Sequence, residues 1–220
     1  MLILAFDTTA AACSVALWRD GTILKAEHEA MKQGQAEALV PMIERTLKKC
    51  DVDYAALDRF AVTVGPGSFT GVRVGISTGR ALGLAANKPV IGVKTTEVLA
   101  AAAPEKGARI LAVIDTKRGD LYAQLFDPGL KPPGNIQIAT PQTLPQWIGP
   151  KPVTLVGDAA ATAANILGSN AVVSSANPLP DVATLAQIAS MREPSAQDLV
   201  PAYARAPDAV RPKAGGRLRP

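Results

Sequence analysis

The chain has 220 residues, 48% of them hydrophobic and only 4% aromatic, with a net charge of +4. This length suits one large domain or two small lobes, with a core of small aliphatic side chains. No apolar run reaches the roughly 18 residues of a spanning helix, and two cysteines, Cys13 and Cys50, make no disulfide framework, so a reducing cytoplasm is expected.

Leu2–Phe6 reads as an apolar first strand; the start lacks the basic region of a signal peptide. Cys13–Trp18 alternates, Asp20-Gly21 is a hairpin turn, and Thr22–Glu29 is a third strand. Ala36, Leu39, Val40, Ile43 and Leu47 fall at helical spacing. Phe60–Val64 is a buried strand. The turn Gly65-Pro66-Gly67-Ser68-Phe69-Thr70-Gly71 then opens a helix from about Thr70 to Ala86, which Lys88-Pro89 stops. Val90–Val93 and Thr95–Ala103 complete the order βββαβαβα.

The second half echoes the first. Ile110–Thr116 resembles Ile3–Thr8, Leu121–Phe126 alternates like Cys13–Trp18, and Ile136–Ala139 makes a third strand. A helix at Thr143–Ile148, a strand at Val153–Val156, a helix at Asp158–Leu167, a strand at Ala171–Val173 and a helix at Val182–Met191 follow. Two copies of βββαβαβα predict an α/β chain with the duplicated ribonuclease-H-like, actin-like (ASKHA) fold. Its lobes would span 1–104 and 105–206, the end of the second packing back on the first. From Pro207 to Pro220, four basic residues against Asp208 give +3, leaving +1 for the other 206 residues. This Pro/Gly/Arg stretch reads as a disordered basic tail with at most a weak RNA contact.

Two features invite functional readings. Gly71, Gly75, Gly79 and Gly83 lie four apart on one helix face, each costing about 1 kcal/mol of propensity relative to Ala. The bare stripe packs either on the protein's own sheet or on a partner helix; Arg73 and Arg80 exclude a membrane helix. Asp7-Thr8-Thr9 closes the first strand where phosphotransferases of this fold face nucleotide phosphates or their metal, and Asp115-Thr116 stands at the equivalent place. Ordinary turn chemistry is the alternative. The glycine turn lacks the Lys-Ser/Thr of a Walker motif and the third glycine of a dinucleotide fingerprint, so it reads as a structural turn capped by Ser68 or Thr70. His28 is the single histidine, which excludes a site needing two imidazoles from one chain.

Together, Ile3–Thr9, Cys13–Leu17, Gly65–Gly75, Ala81–Ala85 and Pro201-Ala202-Tyr203-Ala204-Arg205 closely resemble the bacterial TsaB family, in the glycoprotease-like branch of the actin-like superfamily. The resemblance runs to about residue 206. It implies a noncatalytic dimerisation partner of TsaD, which transfers a threonylcarbamoyl group to the tRNA adenosine beside the anticodon, with the ATPase TsaE joining the assembly. ATP and metal then belong to the partner complex, and contact with tRNA is indirect or weak. The alternative is a stand-alone actin-fold kinase or a glycoprotease-type peptidase. A histidine pair of the catalytic relative is replaced by Lys94-Thr95-Thr96-Glu97, so this chain is expected to hold neither that metal nor a catalytic residue. The family's first two helices form a bundle with the same helices of TsaD, or of a second copy when TsaD is absent. This implies an interface of Gly71, Val72, Gly75, Ile76, Gly79 and Gly83 with Ala36, Leu39, Val40 and Ile43. Asp7, Thr8, Thr9 and Asp115 remain as nucleotide or phosphate candidates.

Overall fold

A computed structural model describes residues 1–105, 107–132, 134–195 and 199–204; the tail expected over 207–220 lies outside them. The first sheet holds β1 (Leu2–Asp7), β2 (Ala12–Arg19), β3 (Thr22–Ala30), β4 (Arg59–Thr63) and β5 (Val90–Val93), in the order β3-β2-β1-β4-β5. Its helices are α1 (Gln35–Lys49), α2 (Phe69–Ala86) and α3 (Thr95–Ala102). The second sheet holds β6 (Ile110–Asp115), β7 (Leu121–Phe126), β8 (Gln137–Ala139), β9 (Val153–Val156) and β10 (Ala171–Val173), in the order β10-β9-β6-β7-β8. It is accompanied by α4 (Leu144–Ile148), α5 (Ala160–Leu167) and α6 (Val182–Ser190). The second sheet repeats the first strand for strand: the opening strand of each pairs antiparallel to the next and parallel to the fourth. The duplicated actin-like fold expected from the element order is the fold observed.

Local chemistry accounts for the elements. Asp20 and Gly21 both take positive φ, 47° and 92°, and join Arg19 to its partner Thr22, the geometry of a type I′ hairpin. Every residue of β1 is buried because both faces are covered. Leu2, Leu4 and Phe6 pack in one cluster with α1 and α2; Ile3 and Ala5 pack in another with Leu185, Ala186 and Ala189 of α6. Ser68 caps α2, its hydroxyl accepting from Gly71 N at 3.3 Å. Asp181 caps α6, accepting from Ala183 N and Thr184 N.

The last helix of each copy crosses over. α6 closes one face of the first sheet, while Leu99 and Ala100 of α3 pack with Ile110, Ala112, Phe126 and Val156 of the second lobe. The α5 helix starts two residues later than the spacing predicts, because Asp158 accepts the Asp115 N–H at 2.8 Å and is held at the end of β6. Among the described residues no helix is long and apolar enough to cross a membrane.

Candidate functional site

β1 delivers Asp7-Thr8-Thr9 to the junction of β4, α2 and α3. Asp7 is 1% exposed. Its Oδ1 accepts from Thr9 N at 3.2 Å and Thr9 Oγ1 at 2.6 Å, and from the Thr63 hydroxyl. Burial outweighs these hydrogen bonds and pushes the carboxyl above its ordinary range. Thr8 Oγ1 donates to Gly71 O at 2.7 Å, and Thr9 Oγ1 lies 3.2 Å from Thr95 Oγ1. The three candidate residues are thus brought together, with their polar atoms engaged by the chain itself.

The glycine stripe meets the same junction. A Cβ on Gly71 would stand 1.9 Å from Thr8 O, and one on Gly67 2.4 Å from Thr9 O. A Cβ on Gly75 would meet Thr8 Oγ1 at 2.9 Å, on Gly79 Val90 at 3.2 Å, and on Gly83 Val90 at 2.4 Å. Gly71, Val72, Gly75, Ile76, Gly79 and Gly83 are all buried, and Leu39 and Ile43 lie in the cluster beneath α1 and α2. The expectation that this stripe faces a partner helix is therefore corrected. Its close-approach surface is the chain's own β1, β4 and β5, and the intramolecular contact offsets the lost helix propensity. Of the residues expected at an interface, only Ala36 and Val40 are exposed. Outward positions of α2 are instead Thr70, Ser77, Ala81 and Leu84, the last 86% exposed.

The glycine turn is likewise filled from within. Ser68 N donates to Thr9 O at 2.8 Å and Gly71 N to Ser68 Oγ, so these two amides, which could have met an anion, already have partners.

Asp115 takes the opposite environment from Asp7. It accepts from Lys117 N at 2.6 Å and pairs with Lys117 Nζ at 2.9 Å, which holds its carboxyl below the usual range. Lys117 also lies 3.7 Å from Asp158. These residues, with Thr9, Lys32, Ser68 and Tyr122, line a cleft of about 1010 Å³ between the lobes. At this cleft the Arg73 guanidinium sits 3.7 Å over the Phe69 ring, and the Tyr203 ring stacks 5.9 Å from it. His28 is exposed on β3, with Nδ1 2.8 Å from Ser14 Oγ.

A family model described as TsaD, tRNA N6-adenosine threonylcarbamoyltransferase, matches residues 29–206. The chain belongs to this family. The TsaB protein of Escherichia coli K12 is 41% identical over 124 residues, which is 56% of this chain and 53% of the relative. The Bacillus subtilis TsaB is 31% identical over 126 residues, 57% and 55% of the two chains. The chain thus spans about half the length of the curated relatives it matches. A crystal structure from Pseudomonas aeruginosa, described as similar to the peptidase YeaZ, superposes with TM-score 0.79 at 28% identity, covering 93% of this chain and 99% of that one.

The metal implied for the catalytic TsaD branch does not fit these side chains. Asp7 is enclosed, its Oδ1 accepting from Thr9 and Thr63. At the position of the histidine pair, Thr95 contacts Thr9, Thr96 Oγ1 donates to Gln124 Oε1 at 2.5 Å, and Glu97 pairs with Arg192. Among the described residues no three His, Cys, Asp or Glu side chains stand close enough to hold a metal ion. Sequence reasoning missed Thr63, Gln124 and the Phe69–Arg73–Tyr203 cluster. The i, i+4 spacing of Phe69 and Arg73 was the one available signal; Tyr203 joins them only through the path of the C-terminal segment.

Proposed function

We propose that this chain is a noncatalytic partner subunit of TsaD in threonylcarbamoyladenosine synthesis on tRNA. Asp7 carries the reading: the carboxylate that in phosphotransferases of this fold faces phosphates or metal is here enclosed and serves packing. The replaced histidine pair, with Thr95, Thr96 and Glu97 joined to neighbouring elements, points the same way. The chain contributes a docking surface, and ATP and the metal belong to the assembly with TsaD and TsaE in the cytoplasm.

Docking uses the outward faces of α1 and α2, which expose Ala36 and Val40 on the one helix and Ala81 and Leu84 on the other. The glycines support that surface from behind by seating α2 on the sheet. The same face joins two copies when TsaD is absent. Small and apolar outward residues on paired helices suit helix-on-helix packing. The test combines the chain with TsaD, TsaE, ATP, threonylcarbamoyl adenylate and unmodified tRNA, with each protein omitted in turn. Modification is expected only with the full set, and Leu84→Arg should abolish co-purification with TsaD while the monomer stays folded. Modification at full rate without this chain sinks the proposal.

The cleft favours a second reading, an ATP-dependent enzyme. Its volume falls in the range of small-molecule sites. Magnesium-dependent ATP binding by the isolated chain, lost in Lys117→Ala, would support it.

A further inference from the structure

The two helices that cover one face of the first sheet carry opposite charges with no ionic partner. On α1, Glu37 and Glu44 are exposed and stand seven apart, two turns and about 10.5 Å along one face. On α2, which contains no acidic residue, Arg73 and Arg80 are exposed at the same spacing. Among the described residues none of these four side chains belongs to an ion pair. Arg73 Nε donates to the Tyr203 hydroxyl at 3.2 Å and Arg80 Nη2 to Leu199 O at 3.0 Å, neutral partners that leave both charges uncompensated. By contrast, Arg45 and Lys49 of α1 turn sideways to Glu27 of β3 and stand apart from the outward acidic row. Lys48 ends that row one turn beyond Glu44.

The topology sets these rows side by side. α1 returns the chain from β3 to β4, and α2 from β4 to β5. β3, β4 and β5 are mutually parallel, so the two helices run in the same direction, and they pack together over one cluster. The outward face is thus a pair of parallel helices, one with an acidic row and one with a basic row. Val40 stands between the glutamates and Ser77 between the arginines. Two copies can close such a face about a two-fold axis in two ways. An axis across the helices lays α1 on α1 and α2 on α2, opposing like charges. An axis along the helices lays α1 of each copy on α2 of the other. Glu37 then faces Arg73 and Glu44 faces Arg80, the shared seven-residue spacing keeping both pairs in step, and Val40 meets the short Ser77. Symmetry repeats each pair.

We propose that a second copy of this chain docks in the crossed arrangement, α1 on α2, and that these ion pairs select it over the like-on-like one. The proposal rests on the docking face described under the proposed function and adds how that face reads its partner. Exposed pairs contribute little one by one. Their effect here is on the choice of arrangement, because the alternative brings the same charges into repulsion. Self-association is therefore strongest at low ionic strength.

The experiment measures self-association of the full chain by sedimentation velocity at roughly 50 and 500 mM KCl. The parent should dimerise, more tightly at low salt. Glu37→Lys with Glu44→Lys, two side chains with no bond to the rest of the described chain, should weaken the dimer on the order of 10–100-fold at low salt. Arg73→Glu with Arg80→Glu should do the same. An equimolar mixture of these two variants should associate as tightly as the parent, because every contact again joins opposite charges, and all four changes in one chain should also restore the dimer. Circular dichroism confirms that each variant is folded. A parent that stays monomeric at low salt overturns the proposal, as does a glutamate variant that dimerises like the parent. TsaD co-purification separates this proposal from the reading it rests on. If charge reversal leaves self-association unchanged while Leu84→Arg still loses TsaD, only the crossed pairing falls. If Leu84→Arg keeps TsaD while the mixed variants still rescue each other, only the proposed partnership falls.

Discussion

The two lobes repeat one topology and treat the same position in opposite ways. At the end of β1, Asp7 is enclosed by Thr9 and Thr63, and its carboxyl is pushed up by burial. At the end of β6, Asp115 stays at the cleft, held down by Lys117. The difference follows from the neighbouring helix. Glycines let α2 press against β1 and β4, closing the space above Asp7. In the second lobe, Asp115 stays partly exposed at the cleft, paired with Lys117 beside Asp158. The contrast teaches that a closely seated helix can enclose a polar residue at a strand end that the same topology elsewhere leaves at a cleft.

Substitutions can break this contrast. The largest effect is expected for Gly71→Leu, whose side chain would have to displace Thr8 O from the space at 1.9 Å. Overpacking against backbone should cost well over about 3 kcal/mol and leave no cooperative urea transition. A folded, dimerising Gly71→Leu chain would show that α2 is not seated as described. Next, Thr96→Val removes the donor to the buried Gln124 and should cost about 1–3 kcal/mol, measured by chemical denaturation. A loss below ~0.5 kcal/mol would mean that this bond does not tie the lobes together.

The two carboxylates should also differ in sign with pH. Asp7 has a raised folded pKa, so the native state binds more protons than the unfolded chain between the two values. Its contribution therefore becomes less favourable as pH rises from about 4 through the folded pKa. Asp7→Asn should remove that decline, seen as a flatter stability–pH profile than that of the parent chain. Asp115 has a lowered pKa, so its contribution is present above about pH 4 and lost as pH falls through the folded value. Asp115→Asn should remove this smaller term, at most about 1 kcal/mol for a partly exposed pair. Parallel profiles for both variants would abolish the distinction between the lobes.

Much of the fold was legible because its signals are local. Hairpin chemistry at Asp20-Gly21, the helical spacing on α1 and the repeated strand pattern each need only neighbouring residues. The surface beneath the glycines was not legible, since Thr8, Val62 and Val90 meet α2 only in the folded chain. Asp7 illustrates the same limit. Its place at a strand end was readable, but the Thr63 hydroxyl that helps to enclose it lies 56 residues away. The outward placement of Ala81 and Leu84 on the glycine helix likewise carries no local signal. Their exposure depends on which way that helix is turned.

The crossing of α6 onto the first sheet has a consequence for how the chain is made. All five strands of that sheet have been synthesised by Val93, yet Ile3, Ala5 and Ile91 gain the cover of Leu185 and Ala189 only about ninety residues later. During synthesis the nascent first lobe must present an uncovered apolar face while the second lobe is still emerging. Completion of folding therefore waits for α6, the last helix among the described residues, and a ribosome stalled between the lobes would hold an aggregation-prone half.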